Sequence, residues 1–322
     1  MSKTTNKTRK SLYSPDSPVR GLYKLGLTEK RFPLNTRTQV PSIGELWSKS
    51  KQMTWDARRD IPYDKFDRKR YSKEQLDAAR LGWSRRAWTE YTGIIESPAM
   101  LIRLALDGGA PIEAKFVLAA KVLEEARHCE ASYLLADAMG GYIPEPPPHD
   151  AIVRLIVAGF RDRLAFNPEV SAEAAIAGWH AISEGVAVDI FAARYKRCDE
   201  PVTREVLRLI LQDEVRHVAV GWDLLEYLVP RMSRAEVQQV EDVVVDIMEN
   251  VEMKGFHSMC LLPHIDSALK EAERIAGEAR LGFCSPEEEH AVFVKSIQAI
   301  RRRFAKMGIT IPLYPEIEEA VA

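Results

Sequence analysis

Apolar residues recur at every third or fourth position along most of the chain from residue 72 onward, which is the spacing of an amphipathic helix. Ser72 and Gln75 form a capping box that opens a long helix, and Gly108, Gly109 and Pro111 separate it from the next helix. No stretch alternates as a half-buried strand would, so the pattern predicts an all-α protein. The predicted helices span residues 44–49, 72–107, 111–140, 150–163, 171–197, 201–229, 233–262, 267–281 and 285–308.

Segments without a helical period set the expected domain boundaries. Residues 1–41 mix Thr, Ser, Pro, Lys and Arg, so we predict an extended arm that wraps the domain or a disordered tail. Residues 42–312 hold the helices, and no linker among them is long enough to separate two domains. Residues 313–322 are predicted to form a C-terminal tail.

The composition narrows the function classes. With 322 residues, 46% of them hydrophobic, the chain can bury a full core, and a net charge of −2 gives no reason to expect a nucleic-acid partner. There is no apolar run long enough for a membrane span and no apolar signal segment at the N-terminus, so we expect a cytoplasmic protein. The cysteines form no zinc or redox motif, which fits reduced thiols. They are Cys129, Cys198, Cys260 and Cys284.

Two Glu-x-x-His motifs lie on different predicted helices. Glu125 and His128 form the first, and Glu214 and His217 form the second. Residues three apart on a helix face the same way, so each pair can hold one metal ion. Both pairs lie within apolar stripes, where a lone carboxylate costs several kcal/mol unless it is paired or metal-bound. The motifs therefore predict a metal centre in the core.

A competing interpretation needs no metal. Arg127, Arg216 or Lys121 could neutralise the buried carboxylates in a salt-bridge network. Such a network would satisfy the same burial pattern, because a cationic side chain compensates a buried carboxylate as a metal ion does.

A two-metal bundle site needs one further Glu from each of two other helices. Glu184 is the acidic residue on the apolar face of helix 171–197, and it lies at the same depth in its hairpin as Glu214. Helix 72–107 offers Glu90 and Glu96, which point to different faces. We favour Glu90, because its stripe is apolar and the stripe of Glu96 is more polar. The predicted metal ligands are Glu90, Glu125, His128, Glu184, Glu214 and His217.

An acidic residue precedes each Glu-x-x-His motif directly. Metal-bound histidines usually donate their far N–H to a carboxylate or carbonyl. We therefore predict crossed pairs, Glu124 with His217 and Asp213 with His128. The alternative is that both acids are charges near a helix surface.

The arrangement Glu…Glu-x-x-His…Glu…Glu-x-x-His over residues 90–217 resembles the ferritin-like di-metal carboxylate proteins of the oxygen-activating branch. Residues 213–221 are similar to the same segment of the ligand-binding oxidases related to ribonucleotide reductase small subunits. Glu90 with Tyr91 resembles the first ligand helix of bacterial multicomponent monooxygenases, which favours Glu90 again. Arylamine N-oxygenases belong to the same branch. The resemblance implies a ferritin-like four-helix bundle core with additional C-terminal helices.

Several accessory positions depart from these families. The radical-bearing tyrosine of the small subunits is replaced by Ser132, which argues against a standard radical-generating role. The Tyr–Val cross-link of the ligand-binding oxidases cannot form, because those positions hold Trp179 and Gly93. His180 lies one turn before Glu184, either as an extra metal ligand or as a hydrogen-bonded core histidine.

The resemblance also implies a chemistry. We expect two iron ions, or manganese with iron, that activate O2 to hydroxylate, N-oxygenate or desaturate a small organic substrate. No flavin or iron–sulfur motif is present, so electrons would come from an external reductase or ferredoxin. We also expect a homodimer. The alternatives are a radical-generating small subunit of a ribonucleotide-reductase-like complex and a ferroxidase or iron-handling protein.

Overall fold

The structure, a computed structural model, describes residues 35–106, 109–146, 157–262 and 267–318. These residues form helices connected by turns, and no strand occurs among them. The helices are α1 (Pro41–Gln52), α2 (Lys73–Leu106), α3 (Ile112–Met139), a π-helical segment (Val157–Ala165), α4 (172–197), α5 (Pro201–Leu228), α6 (Arg234–Asn250), α7 (Ser267–Glu278), α8 (Pro286–Lys306) and α9 (Pro315–Glu318). The all-α prediction is confirmed.

Local sequence signals explain where most of the helices begin. The Ser72–Gln75 box forms as predicted, with the Gln75 amide donating to Ser72 Oγ and the Ser72 amide donating to Gln75 Oε1. Complete capping boxes also open α6 at Ser233 and α8 at Ser285. Each box satisfies backbone N–H groups that a helix start leaves without a partner. These starts could therefore be predicted to within a residue.

Four long helices, α2 to α5, form the central bundle. Helix α2 packs along α3, α4 packs along α5, and α3 also contacts α5. Helix α1 lies across α3 and α5, while α7 and α8 cover α2 and α4 from outside. Helix α6 packs against the middle of α4. A four-helix core with additional C-terminal helices is therefore what the described residues form.

Two apolar clusters occupy the interior, one on each side of a buried polar layer. Along α3, Leu118 belongs to one cluster and Leu135 to the other, with the first Glu-x-x-His motif between them. Along α5, Leu207 and Val220 flank the second motif in the same way. The polar layer is therefore enclosed by hydrophobic packing above and below.

Three predicted elements differ from the structure. The helix predicted over 233–262 ends at Asn250 and is followed by two short 3₁₀ turns, the first of which ends at Gly255 in a left-handed conformation with φ of 93°. The predicted helix 171–197 forms, but its middle, Ala177–Ser183, is π-helical. The helix predicted over 267–281 ends at Glu278.

The remaining predictions concern the chain ends and one helix. Most of the predicted arm, residues 1–34, lies outside the described residues, as does the start of the helix predicted over 150–163. Its described end is the π-helical Val157–Ala165. Ile317, in the segment predicted as a tail, is buried in the core. None of the described helices is both long and apolar enough to cross a membrane.

Candidate metal centre

The polar layer collects its acidic and histidine side chains from all four bundle helices. Helix α2 contributes Glu90, α3 contributes the Glu125 pair, α4 contributes Glu184, and α5 contributes the Glu214 pair. Both histidines are fully buried, and none of the four glutamates is more than 8% exposed. All six predicted ligand residues therefore converge in one buried cluster, and a lone carboxylate in such a place requires compensation.

The cluster divides into two groups that share Glu125. In the first, ligand atoms of Glu90, Glu125, His128 and Glu214 all lie within 4.8 Å of one another. In the second, the same holds for Glu125, Glu184 and His217. Two neighbouring groups that share a carboxylate are the geometry expected for a pair of metal ions.

His128 supplies an independent test of whether a metal fits the first group. Its Nδ1 atom is buried and has no hydrogen-bond partner. The same atom lies 3.4 Å from Glu214 Oε1, 3.8 Å from Glu90 Oε2 and 3.9 Å from Glu125 Oε2. Metal–nitrogen and metal–oxygen bonds are about 2.0–2.2 Å long, so one ion among these atoms would satisfy all of them. Carboxylate oxygens with imidazole suit iron or manganese.

The far nitrogens of both histidines are held in crossed pairs. His217 Nε2 lies 2.8 Å from Glu124 Oε2, and His128 Nε2 lies 3.2 Å from Asp213 Oδ2. If each Nε2 donates to its carboxylate, each Nδ1 is left with a lone pair that faces the cluster. Glu124 and Asp213 are buried, so the alternative of two charges near a helix surface does not hold.

Cationic side chains keep these two supporting acids ionised. Burial raises the pKa of Asp213, but the hydrogen bond and charge of His128, with Arg216 and Arg127, outweigh it and hold the pKa at about 2. Trp55 Nε1 donates to the same carboxylate at 2.8 Å. Asp213 is therefore an ionised acceptor that fixes the orientation of His128. No sequence pattern indicated this role for Trp55, because Trp55 lies in a loop far from α5 along the chain.

His180 contacts a ligand residue but stands outside both groups. Its Nδ1 atom lies 2.7 Å from Glu184 Oε2, and burial lowers the pKa of its imidazole. The π-helical turn of α4 carries His180, and π-helical insertions often occur at functional sites. His180 is therefore hydrogen-bonded to a predicted ligand residue, and its role as an extra metal ligand stays a prediction.

Glu90 and Glu96 occupy different parts of the interior. Glu90 belongs to the first group, whereas Glu96 lies outside the cluster. Although its stripe contains more polar residues, Glu96 is buried too, since it is only 3% exposed and its Oε2 has no hydrogen-bond partner. Burial raises the pKa of Glu96 to about 7, against the opposing effects of a backbone hydrogen bond and Arg161.

Two cations enter the cluster itself. Arg86 forms an ion pair with Glu90 and lies 3.4 Å from Glu214. Lys121 contacts Glu125 at 2.5 Å and also pairs with Glu184. Sequence reasoning considered Lys121 only within the competing salt-bridge network and missed Arg86. The available signal was their position one turn before Glu90 and Glu125, where side chains of a helix meet.

A small cavity reaches the cluster from one side. Its volume is about 70 Å³, and its lining includes all four ligand carboxylates together with Gly93, Trp179 and Phe256. A second cavity of about 130 Å³ lies next to it. The two share the lining residues Arg86, Thr89, Ala187, Phe256 and His257. The two cavities therefore adjoin at Arg86 and form a recess beside the cluster; the cavity of about 70 Å³, which borders the ligand carboxylates, is called the inner cavity and the other the outer cavity.

Comparison with known proteins supports the fold. No protein-family model matches the chain, and no curated protein matches it. Among solved structures, a mutant R2-like ligand-binding oxidase with an anaerobically reconstituted Mn/Fe cofactor aligns with a TM-score of 0.66 and 14% identity, over 82% of this chain and 94% of that one. Another mutant with an aerobically reconstituted Mn/Fe cofactor aligns with a TM-score of 0.64 and 16% identity, over 82% and 93%. The chain therefore has the ferritin-like helical fold of these oxidases, and the resemblance read from the sequence is confirmed at the level of the fold.

Proposed function

We propose that this protein is a di-metal oxidoreductase that activates O2 to oxidise a small organic molecule by hydroxylation, N-oxygenation or desaturation. The proposal rests mainly on the arrangement of the ligand residues. Four carboxylates and two histidines from four helices converge in two adjacent groups, and each histidine is held by an ionised acid from the opposite motif. A salt-bridge network alone would leave the buried His128 Nδ1 atom without a hydrogen-bond partner, and a metal ion would satisfy it.

The chain's own residues would hold and orient the metal pair. Glu90 and His128 belong to the first position, Glu184 and His217 belong to the second, and Glu125 is shared. Bound iron or manganese would supply the electrons that reduce O2. Glu124 and Asp213 keep the histidine rings in the orientation that directs Nδ1 to the metals. The apolar clusters on either side exclude water from this reaction.

Substrate would approach through the recess that borders the ligand carboxylates. The inner cavity has room for only a small group beside the cluster, and Phe160, Trp179 and Phe256 make much of its wall aromatic. The outer cavity contains two ion pairs, Arg85 with Glu273 and Arg194 with Glu289. A compact substrate with an apolar reacting end and a polar outer end suits this recess.

The cofactor and partners follow from the same proposal. The solved structures of similar fold carry Mn/Fe cofactors, and the ligand atoms of this chain suit manganese with iron or iron in both positions. Turnover requires an external electron donor, a reductase or a ferredoxin. Homodimer formation and a cytoplasmic location stay predictions from the sequence.

Metal counting on the purified protein tests the proposal first. We expect wild-type protein loaded with Fe(II) or Mn(II) to retain at least one ion per chain, and His128→Ala to retain much less. Glu130→Gln, a partly exposed position on the same helix, is the control and keeps the wild-type metal content. Less than one ion per chain in wild-type protein overturns the proposal.

The reaction of the reduced protein with O2 tests whether the metal centre activates O2 for oxidation of a substrate. We expect the Fe(II)-loaded protein to consume O2 in proportion to its metal content and to stop when the donor is exhausted. Continued O2 consumption with each new addition of Fe(II), together with accumulation of ferric mineral, would indicate iron handling instead and would contradict the oxidoreductase proposal.

A further inference from the structure

Lys121 is buried in the second metal group. Its side chain is 1% exposed, and its Nζ lies 2.5 Å from Glu125 Oε1. The same atom pairs with Glu184 Oε1 and lies 3.5 Å from His217 Nδ1. These partners are the three residues that make up the second group. The ammonium group therefore lies among the ligand atoms of the second position.

A metal ion bound by the same three residues would occupy nearly the same point. Metal ligands approach to about 2.0–2.2 Å, and an ammonium nitrogen at hydrogen-bond distance from the same atoms leaves no space for an ion between them. The first position also has a cation, Arg86, which contacts its ligand residues Glu90 and Glu214. Arg86 approaches that position from its rim, where its side chain is 16% exposed beside the recess. The two positions are therefore chemically unequal.

The charge balance of the cluster also indicates that the two metal positions are unequal. Glu90, Glu125, Glu184 and Glu214 face the two cations Arg86 and Lys121, and one divalent ion neutralises the remainder. Outside this set, the supporting acids Glu124 and Asp213 are balanced by Arg127 and Arg216. A second divalent ion in the presence of both cations would leave a buried excess of positive charge, which is unfavourable.

We propose that Lys121 is a resident cation of the second metal position, so that the protein binds its first metal ion readily and its second only when the Lys121 ammonium is displaced. This inference rests on the proposed function and specifies how its metal centre is loaded. Metal binding is then sequential, with the position of Glu90 and His128 filled first. Two unequal positions also provide a physical basis for holding two different metals.

The structure offers a place for the displaced ammonium. Nζ lies 5.8 Å from the ring centroid of Trp179, which also lines the inner cavity. An ammonium group is attracted to the face of an indole ring. Displacement of Lys121 toward Trp179 would therefore keep its charge against an aromatic ring that lines the cavity, instead of between the ligand atoms of the second position.

Stepwise titration of metal-free protein with Mn(II) tests the proposal, with free Mn(II) and bound ions followed by electron paramagnetic resonance. We expect wild-type protein to bind one ion at least tenfold more tightly than a second. In Lys121→Met, which keeps a flexible chain of similar length and removes the charge, we expect the second step to tighten by tenfold or more. The spin-coupled signal of a pair should then appear at lower Mn(II). Lys115→Met on the same helix, outside the cluster, is the matched control and titrates as wild type.

The outcomes separate this inference from the proposed function. If wild-type protein binds two ions of equal affinity, the Lys121 inference is overturned and the two-metal proposal stands. If Lys121→Met binds the second ion no more tightly than wild type, the inference is also overturned. If neither protein binds Mn(II) or Fe(II), the proposed function fails. Should Lys121→Met not fold, the wild-type titration alone decides, and Lys121→Arg, which keeps the charge, must keep the weak second step.

Discussion

Glu124 and His217 are joined across the bundle by a hydrogen bond of 2.8 Å between Oε2 and Nε2. Glu124 directly precedes the Glu-x-x-His motif of α3, and His217 belongs to the motif of α5. The reciprocal pair, Asp213 with His128, runs in the opposite direction. Each histidine is therefore oriented by an acid from the other helix, which ties the two halves of the centre together and fixes both rings before any metal arrives.

Substitution of the supporting acids is expected to weaken metal binding without removing a ligand. Loss of such a partner typically lowers metal affinity about 10–100-fold, because the ring loses its fixed tautomer and orientation. We expect Asp213→Asn and Glu124→Gln each to fall in this range when metal affinity is measured by competition with a chelator. Glu205→Gln, partly exposed on α5, is the control. An unchanged affinity in both variants would show that the crossed pairs do not support the metal centre.

Glu90 and Glu96 can be separated by a paired substitution. Glu90 lies in the first metal group, and Glu96 is buried elsewhere on the same helix. We therefore expect Glu90→Ala to lose most of its metal while Glu96→Ala keeps the wild-type content, as measured by elemental analysis of protein desalted after loading. The reverse pattern would move the α2 ligand to Glu96.

Gly93 leaves the space that the shared carboxylate occupies. A Cβ atom at this position would lie 2.5 Å from Glu125 Cδ and from its Oε2. Overpacking a fixed interior costs about 1–3 kcal/mol, and here the strain falls on a ligand of both metal positions. We expect Gly93→Ala to bind metal about tenfold more weakly. Gly109→Ala adds a Cβ with no neighbour within 4 Å and should behave as wild type. Equal metal affinity in the two variants would contradict this role.

Glu96 is expected to make stability fall as the pH rises. Burial raises its pKa from 4.5 to about 7 in the folded protein, so the folded state holds the proton more tightly than the unfolded state does. Stability from this group is complete below the unfolded pKa and is lost as the pH rises through the folded pKa. Glu96→Gln cannot ionise, so its stability does not fall in this way. As the pH rises from ~4 to ~8, we expect the free energy of unfolding of Glu96→Gln to increase by roughly 2 kcal/mol relative to that of wild type.

Urea unfolding of the metal-free proteins at several pH values checks this expectation. Glu74→Gln, at an exposed position of the same helix, is the control substitution. Parallel pH profiles for wild-type protein and Glu96→Gln would mean that the buried carboxyl does not titrate in this range.

Helix boundaries could be predicted where a local sequence signal determines them. They were harder to predict where tertiary contacts determine them. The capping box at Ser72 depends on residues three apart, so the sequence contains all of it. The early end of α6 at Asn250 and the π-helical turn of α4 carry no such signal. The π-helical turn packs against α6, where Gly178 leaves close space for Ile247, and this contact depends on the tertiary structure.

The sequence by itself determined the all-α class, the two Glu-x-x-His motifs and the crossed acids, because helical periodicity fixes which residues share a face. The sequence did not determine how much of the positive charge that compensates the buried carboxylates comes from side chains of the protein. Only the packing of four helices brings Lys121 and Arg86 among the same carboxylates, and the sequence interpretation had treated a cation network and a metal site as alternatives. The folded chain contains the cations and the ligand atoms together, because the carboxylates must be compensated once burial has removed them from water.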